Sequence, residues 1–220
     1  MKLVDWFAAL SAIATAVAAF AAWKAASAAQ KQSFDTGLST RRQTYKTHSD
    51  SFNEWLDGIE AEFKVKFFRR YELYDSIFPN NRNPDLEFSE VGSVEVEAWR
   101  NSFESLVSMA CRPARLHIRE VEGWAADHMF LAGHMRYSYL DSSAVQLFFD
   151  DSIPSGLSLE NYQSSLGVMG AVLTGLSKFS FRGDYVGSRG FSKEFNESFI
   201  GLINQVANES WHQHSYRPGK

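Results

Sequence analysis

WFAALSAIATAVAAFAAW, residues 6–23, contains no charged side chain; Asp5 precedes it and Lys24 follows it. A helix rises about 1.5 Å per residue, so this run covers about 27 Å, close to the hydrocarbon thickness of a bilayer. Trp6 and Trp23 stand at its two ends, where amphipathic rings suit the water–membrane interfaces. The run reads as a single transmembrane helix. Half of it is alanine. On a wheel of about 100° per residue, Trp6, Leu10, Ile13, Val17 and Phe20 share one face, and Ala8, Ser11, Thr15, Ala18, Ala19 and Ala22 share the other. A helix surrounded by lipid gains nothing from such segregation. A helix packed on another helix does gain, because small residues let backbones approach and Ser and Thr hydroxyls can bond across the contact. Ala8, Ser11, Thr15, Ala18 and Ala22 are therefore the expected pore or helix–helix face. The chain offers no second span, so the expected partner is the same helix in another copy. The competing reading is an alanine-rich anchor whose asymmetry has no role.

A signal peptide is the other reading of the span, with Ala26-Ser27-Ala28 as its small-residue cleavage site. Lys24 between the apolar run and that site, and a lone Lys2 offset by Asp5, favour an anchor. Beyond the span lie Lys24, Lys31, Arg41, Arg42 and Lys46 against one acid, Asp35. The positive-inside rule then places the C-terminal bulk in the cytoplasm of a bacterial inner-membrane protein, with the basic residues near anionic headgroups.

The expected organisation is an anchor over 1–29, a basic juxtamembrane neck over 30–50, a helical cytoplasmic domain over 51–211 and a frayed polar tail over 212–220. The fold class is all-α, one membrane helix followed by a bundle of roughly five or six helices. The first helix is expected to stop at Asp35-Thr36-Gly37. A second is expected from Leu38 to Phe78, because Tyr45, Phe52, Trp55, Leu56, Ile59, Phe63, Phe67, Tyr71, Tyr74 and Phe78 recur at helical steps. Its upper part reads as a spoke, with Arg41 and Arg42 facing lipid phosphate. Pro79 and Pro84 end it. Further helices are expected over 94–111, from Pro113 to about Leu140, over 143–149, from Leu159 to Phe181 behind a Ser158 cap, and beyond a Ser192 cap. Gly167 and Gly170 would permit close helix contact, and no strand pattern stands out.

The formal net charge of −4 argues against a nucleic-acid-binding type. The lone Cys111 rules out an intramolecular disulfide and reads as a small buried hydrophobe. No P-loop, G-x-S-x-G, paired C-x-x-C or H-E-x-x-H is present. His128 and His134 fall on different helix faces, so no metal and no cofactor are expected. Lys178, Arg182 and Arg189, among glycines and ahead of a helix start, form a candidate anion- or partner-binding segment, with Tyr185 and Phe191 able to stack on a base. The competing reading is an ordinary charged loop.

Two resemblances add to this. Arg112-Pro-Ala-Arg-Leu-His117 and Arg42-Gln-Thr-Tyr-Lys-Thr-His48 have the Arg–His spacing of helical RNases of the HEPN type. That resemblance implies a His that activates a ribose hydroxyl and an Arg that steadies phosphate. Pro113 departs from the polar residue usual beside the Arg. The layout of residues 1–80, above all WFAALSAIATAVAAFAAWKAA, and more loosely RRYELYDSIFPNN, resembles membrane effectors of bacterial anti-phage systems: retron-associated membrane proteins and membrane accessory proteins of RNA-targeting CRISPR systems. It implies membrane disruption after a cytoplasmic trigger, and carries over no residue role. The expected function is an oligomeric, pore-forming or membrane-disrupting effector. The alternatives are a membrane-tethered binding or regulatory module and a HEPN-like RNase. Expected partners are membrane lipid, further copies of the chain, and a protein or nucleic-acid-containing partner in the cytoplasm.

Overall fold

In a computed structural model of the chain, residues 3–140, 146–149, 153–183 and 190–215 are described. One helix, α1 (Leu3–Phe63), runs through the apolar stretch, the basic neck and into the core without a break. At about 1.5 Å per residue it is about 90 Å long. The expected stop at Asp35-Thr36-Gly37 is not there. A single glycine costs a helix only about 1 kcal/mol, too little by itself to break a helix of this length.

The expected helix from Leu38 to Phe78 is broken instead at Lys64, whose φ of 52° turns the chain out of α1. A strand, β1 (Val65–Phe67), follows, and then α2 (Arg70–Ile77). Asp57 and Glu60, near the end of α1, hold this corner. Arg70 reaches Asp57 at 2.7 Å and Glu60 at 2.8 Å. Glu60 also takes Lys66 and the Phe67 amide, each at 2.7 Å. These three donors hold the Glu60 carboxyl below the usual carboxylate range, although burial pushes the other way most strongly.

After the loop that starts at Pro79 come α3 (Glu95–Ala110) and α4 (Ile118–His134). Their apolar side chains at helical spacing are buried, among them Trp99, Phe103, Trp124 and Leu131. The fourth helix begins later than Pro113. Residue 117 is extended, and Glu120 reaches back to its amide at 2.8 Å, a capping contact that starts the helix there. It also ends earlier, at a positive φ on Arg136, and β2 (Tyr137–Tyr139) pairs antiparallel with β1. A second pair, β3 (Gln146–Phe149) with β4 (Ile153–Ser158), occupies part of the expected 143–149 helix and the loop beyond. Residues 143–145 of that expected helix lie outside the described residues. The chain closes with α5 (Tyr162–Phe179) and α6 (Lys193–Ser215). Ser192 caps α6 through the Phe195 amide at 3.0 Å, as expected. Ser158 bonds the amides of Glu160 and Asn161 and so shapes the turn before α5, which starts three residues later than expected. Among the described residues the protein is mostly helical, with six helices and two small antiparallel pairs.

Only the last third of α1 is built into the body. Ser49, Phe52 and Leu56 are buried, and Trp55, Ile59 and Phe63 are partly so. Trp55 lies directly over Gly175 of α5, where a Cβ would collide with the indole. Gly170 plays the expected role, facing the Phe103 ring at 3.1 Å from where a Cβ would stand. Gly167 meets nothing. Gly167→Ala should therefore stabilise the body by about 0.5–1 kcal/mol, because alanine is the better helix former. Gly175→Ala should destabilise it by about 1–3 kcal/mol, because a rigid indole has to move. Urea midpoints of the two variants, at unchanged slope, check both signs.

Candidate functional site

The apolar stretch is fully outside the body: none of its window is buried. Trp6, Leu10, Ile13, Val17, Phe20 and Trp23 are each at least half exposed. The opposite face bears the expected small residues, and the structure changes one detail of it. The Thr15 hydroxyl donates to the Ser11 carbonyl at 2.9 Å, so its proton is spent inside its own helix. Ser27 does the same to Trp23, and Thr44 to Thr40. Of the two hydroxyls on this face, the Thr15 proton is thus committed within its own helix. α1 then continues exposed as a stalk to about Thr44, with only Leu38 partly covered. It is met by the body at Arg41, which donates to the Pro84 carbonyl at 3.0 Å. Arg41 stands eighteen residues past Trp23, about 27 Å further along the helix. Through its bond to Pro84, Arg41 clamps the loop after α2 to the stalk.

Among the anion-site residues, Lys178 is exposed in the last turn of α5. Arg182 is committed elsewhere: its Nε donates to the Gly92 carbonyl at 2.6 Å and its Nη1 pairs with Glu97 at 3.1 Å. Arg100 in turn donates to the Arg182 carbonyl at 2.8 Å. Arg182 thus pins the end of α5 to α3. Arg189 and Tyr185 lie outside the described residues. Phe191 is core, in ring contact with Trp124, Tyr162 and Phe195. Of the three cations, the two described ones stand apart in role, Arg182 as a crosslink to α3 and Lys178 on the surface of α5.

Arg112 and His117 do not share a helix. Arg112 lies just past the end of α3 and His117 just before α4, with Pro113 between them. Both attend to Glu120, Arg112 by a loose pair at 3.8 Å and His117 by its backbone amide. A carboxylate at that point repels the phosphate an RNase must hold. His48, the other spacing match, is used inside the fold: its Nδ1 is 2.8 Å from the Tyr74 hydroxyl. Its ring sits among Tyr74, Phe78, Phe88 and Phe179, with centroids 4.8–5.6 Å away.

His128 is fully buried on α4, stacked on Tyr139, and its Nδ1 has no partner among the described residues. Burial pushes its pKa down to about 3. Exposed His134 lies one turn and more away, and no three His, Cys, Asp or Glu side chains among the described residues converge to hold a metal. Cys111 is half-buried and its Sγ approaches the Gly190 carbonyl at 3.2 Å.

Compared with protein-family models, with curated proteins and with solved structures, the chain shows no match.

His128 yields a pH prediction. Its folded pKa lies below the unfolded value of 6.5, so the unfolded chain binds the proton more readily. The contribution of the neutral ring to stability is complete above 6.5 and is lost as pH falls toward 3. By pH 4.5 the loss should reach about 2–3 kcal/mol. His128→Leu should remove that part of the acid sensitivity. Denaturant titrations of both proteins between pH 7 and 4.5 measure the difference.

Proposed function

We propose that this chain is a single-pass membrane protein that self-associates through α1 and acts as an oligomeric membrane effector. The observation that carries this is the bare apolar stretch. Five large side chains on one face of it, Trp6, Leu10, Ile13, Val17 and Phe20, are each 56–63% exposed. Leaving such side chains in water forgoes on the order of 2 kcal/mol apiece, so something other than this chain covers them. Length, terminal tryptophans and lack of charge fit a bilayer. The body supports a tether for the orientation given by the basic stalk, with the body in the cytoplasm.

The small face then packs on the same face of another copy, where alanine permits close backbones. The body offers no assembled catalytic constellation among the described residues. That favours an effect exerted by the membrane helices over an effect exerted by chemistry. The layout shared with anti-phage membrane effectors gives the class of outcome, a breach of the bacterial inner membrane once the body is triggered.

A second reading, a tether that merely localises a binding module, is favoured by the same stalk and needs no self-association. Ser11→Leu with Thr15→Leu separates the two. The double variant should stay membrane-bound while the detergent-solubilised protein drops from a multimer to a single copy, and toxicity on overexpression should disappear. A parent protein that is already a single copy in detergent contradicts the effector reading. Equal toxicity of parent and variant contradicts it too.

A further inference from the structure

The place where the free stalk becomes a packed helix is built around one titratable ring. His48 of α1 is packed among Tyr74 and Phe78 from the α2 region, Phe88 from the following loop and Phe179 from α5. The titratable groups against it are Tyr45 on its own helix, Tyr74 on α2 and Glu90 in the loop; α5 presents the Phe179 ring. His48 and Glu90 line one groove of about 430 Å³ together with Thr44, Thr47 and Phe88.

The hydrogen bonds fix the tautomer. Asn81 Nδ2 donates to the Tyr74 hydroxyl oxygen at 3.4 Å. His48 Nδ1, 2.8 Å away, is the one acceptor that the Tyr74 proton has among the described residues, which assigns that nitrogen as the acceptor. The imidazole proton then sits on Nε2. Asn81 is also the tie for the loop: its Nδ2 donates to the Ser89 carbonyl at 2.8 Å, and the Ser89 amide donates to its Oδ1 at 2.8 Å. One relay thus joins stalk, α2 and loop, running from Ser89 through Asn81 and Tyr74 to His48.

The geometry points to an acid-operated latch: protonation of His48 undoes the Tyr74–Asn81–Ser89 relay and frees the loop that clamps the base of the stalk. A proton on Nδ1 turns the acceptor into a donor. Two donors, His48 and Asn81, then face one hydroxyl oxygen, and the Tyr74 proton is left without an acceptor in a buried place. An unpaired buried donor is costly, and turning the Asn81 amide over, so that its Oδ1 accepts the Tyr74 proton, relieves it at the expense of both Ser89 bonds. Glu90 offers the imidazolium a counter-charge across the groove, and the aromatic box tolerates a cation. Burial sets the ring below the ordinary histidine value, against the pull of Glu90. The relay is therefore intact at neutral pH and comes apart only as pH falls below the ordinary histidine range. This inference concerns the body and stalk alone, and stands or falls independently of pore formation.

Hydrogen exchange of the full chain in detergent tests it, with rates corrected for the intrinsic pH effect. The Ser89 amide should lose at least threefold in protection between pH 7.5 and pH 5. His48→Gln keeps an acceptor for Tyr74 and cannot titrate, so its Ser89 protection should be the same at both pH values. His48→Phe, which fills the box without a titratable group, should likewise show no pH response. Glu90→Gln should move the wild-type midpoint to lower pH. Unchanged Ser89 protection in the parent overturns the proposal. The same pH response in His48→Gln or His48→Phe also overturns it.

Discussion

Everything in this protein hangs on how the last third of α1 is gripped. Phe52 and Leu56 are buried, and Trp55 lies flush against the bare backbone of Gly175. The aromatic cluster around Phe52, Tyr74, Phe78 and Phe179 closes over the same segment. Burying large apolar side chains is worth on the order of 2 kcal/mol each, and here it is spent on one helix. Because that helix does not break, its grip is transmitted to the stalk and the apolar end. A helix about 90 Å long with one end held in a core is a lever as well as an anchor.

The corner after α1 is the complementary device. Lys64, Arg69 and Arg136 all take left-handed backbone conformations around the β1–β2 pair. That region costs a non-glycine residue of order 1 kcal/mol or more, and the surrounding charge pairs offset it. Glu60 and Arg70 lock the turn from inside, while Glu72 pairs with Arg136 at 3.1 Å from outside. Without that turn, the helical register of residues 59–78 would run on and carry α2 away from the core.

This corner also explains which parts of the fold were legible in the sequence. The inward faces of α3, α4 and α6 were readable, because Trp99, Phe103, Trp124, Phe195 and Phe199 repeat at helical spacing and are buried as that spacing requires. The break at Lys64 was not. Phe63, Phe67 and Tyr71 are four apart, which fits a helix, while Val65-Lys66-Phe67 alternates, which fits a strand, and lysine carries no turn signal. The β3–β4 pair was missed for a related reason: an apolar run such as Gln146–Phe149 is too short for its period to decide. In the other direction, Gly37 looked like a stop, but one glycine costs a helix only about 1 kcal/mol and does not turn the chain by itself. The candidate sites were less legible still. Arg182 read as a free cation and is a crosslink, because its partners Gly92 and Glu97 are some ninety residues away in the chain. His48 read as half of a spacing motif; its aromatic box comes from three separate segments that no local pattern joins.

The continuity of α1 from the apolar stretch to the buried core is what couples the body mechanically to the apolar end. It is tested by a pulsed electron-spin distance measurement between labels at Ala21 and Asp50, both exposed on the helix, with the protein in lipid nanodiscs. An unbroken helix places the two backbones about 43 Å apart, at about 1.5 Å per residue over the intervening chain, and gives one narrow distribution. A shorter or broad distribution, as a break at Gly37 would produce, contradicts the account.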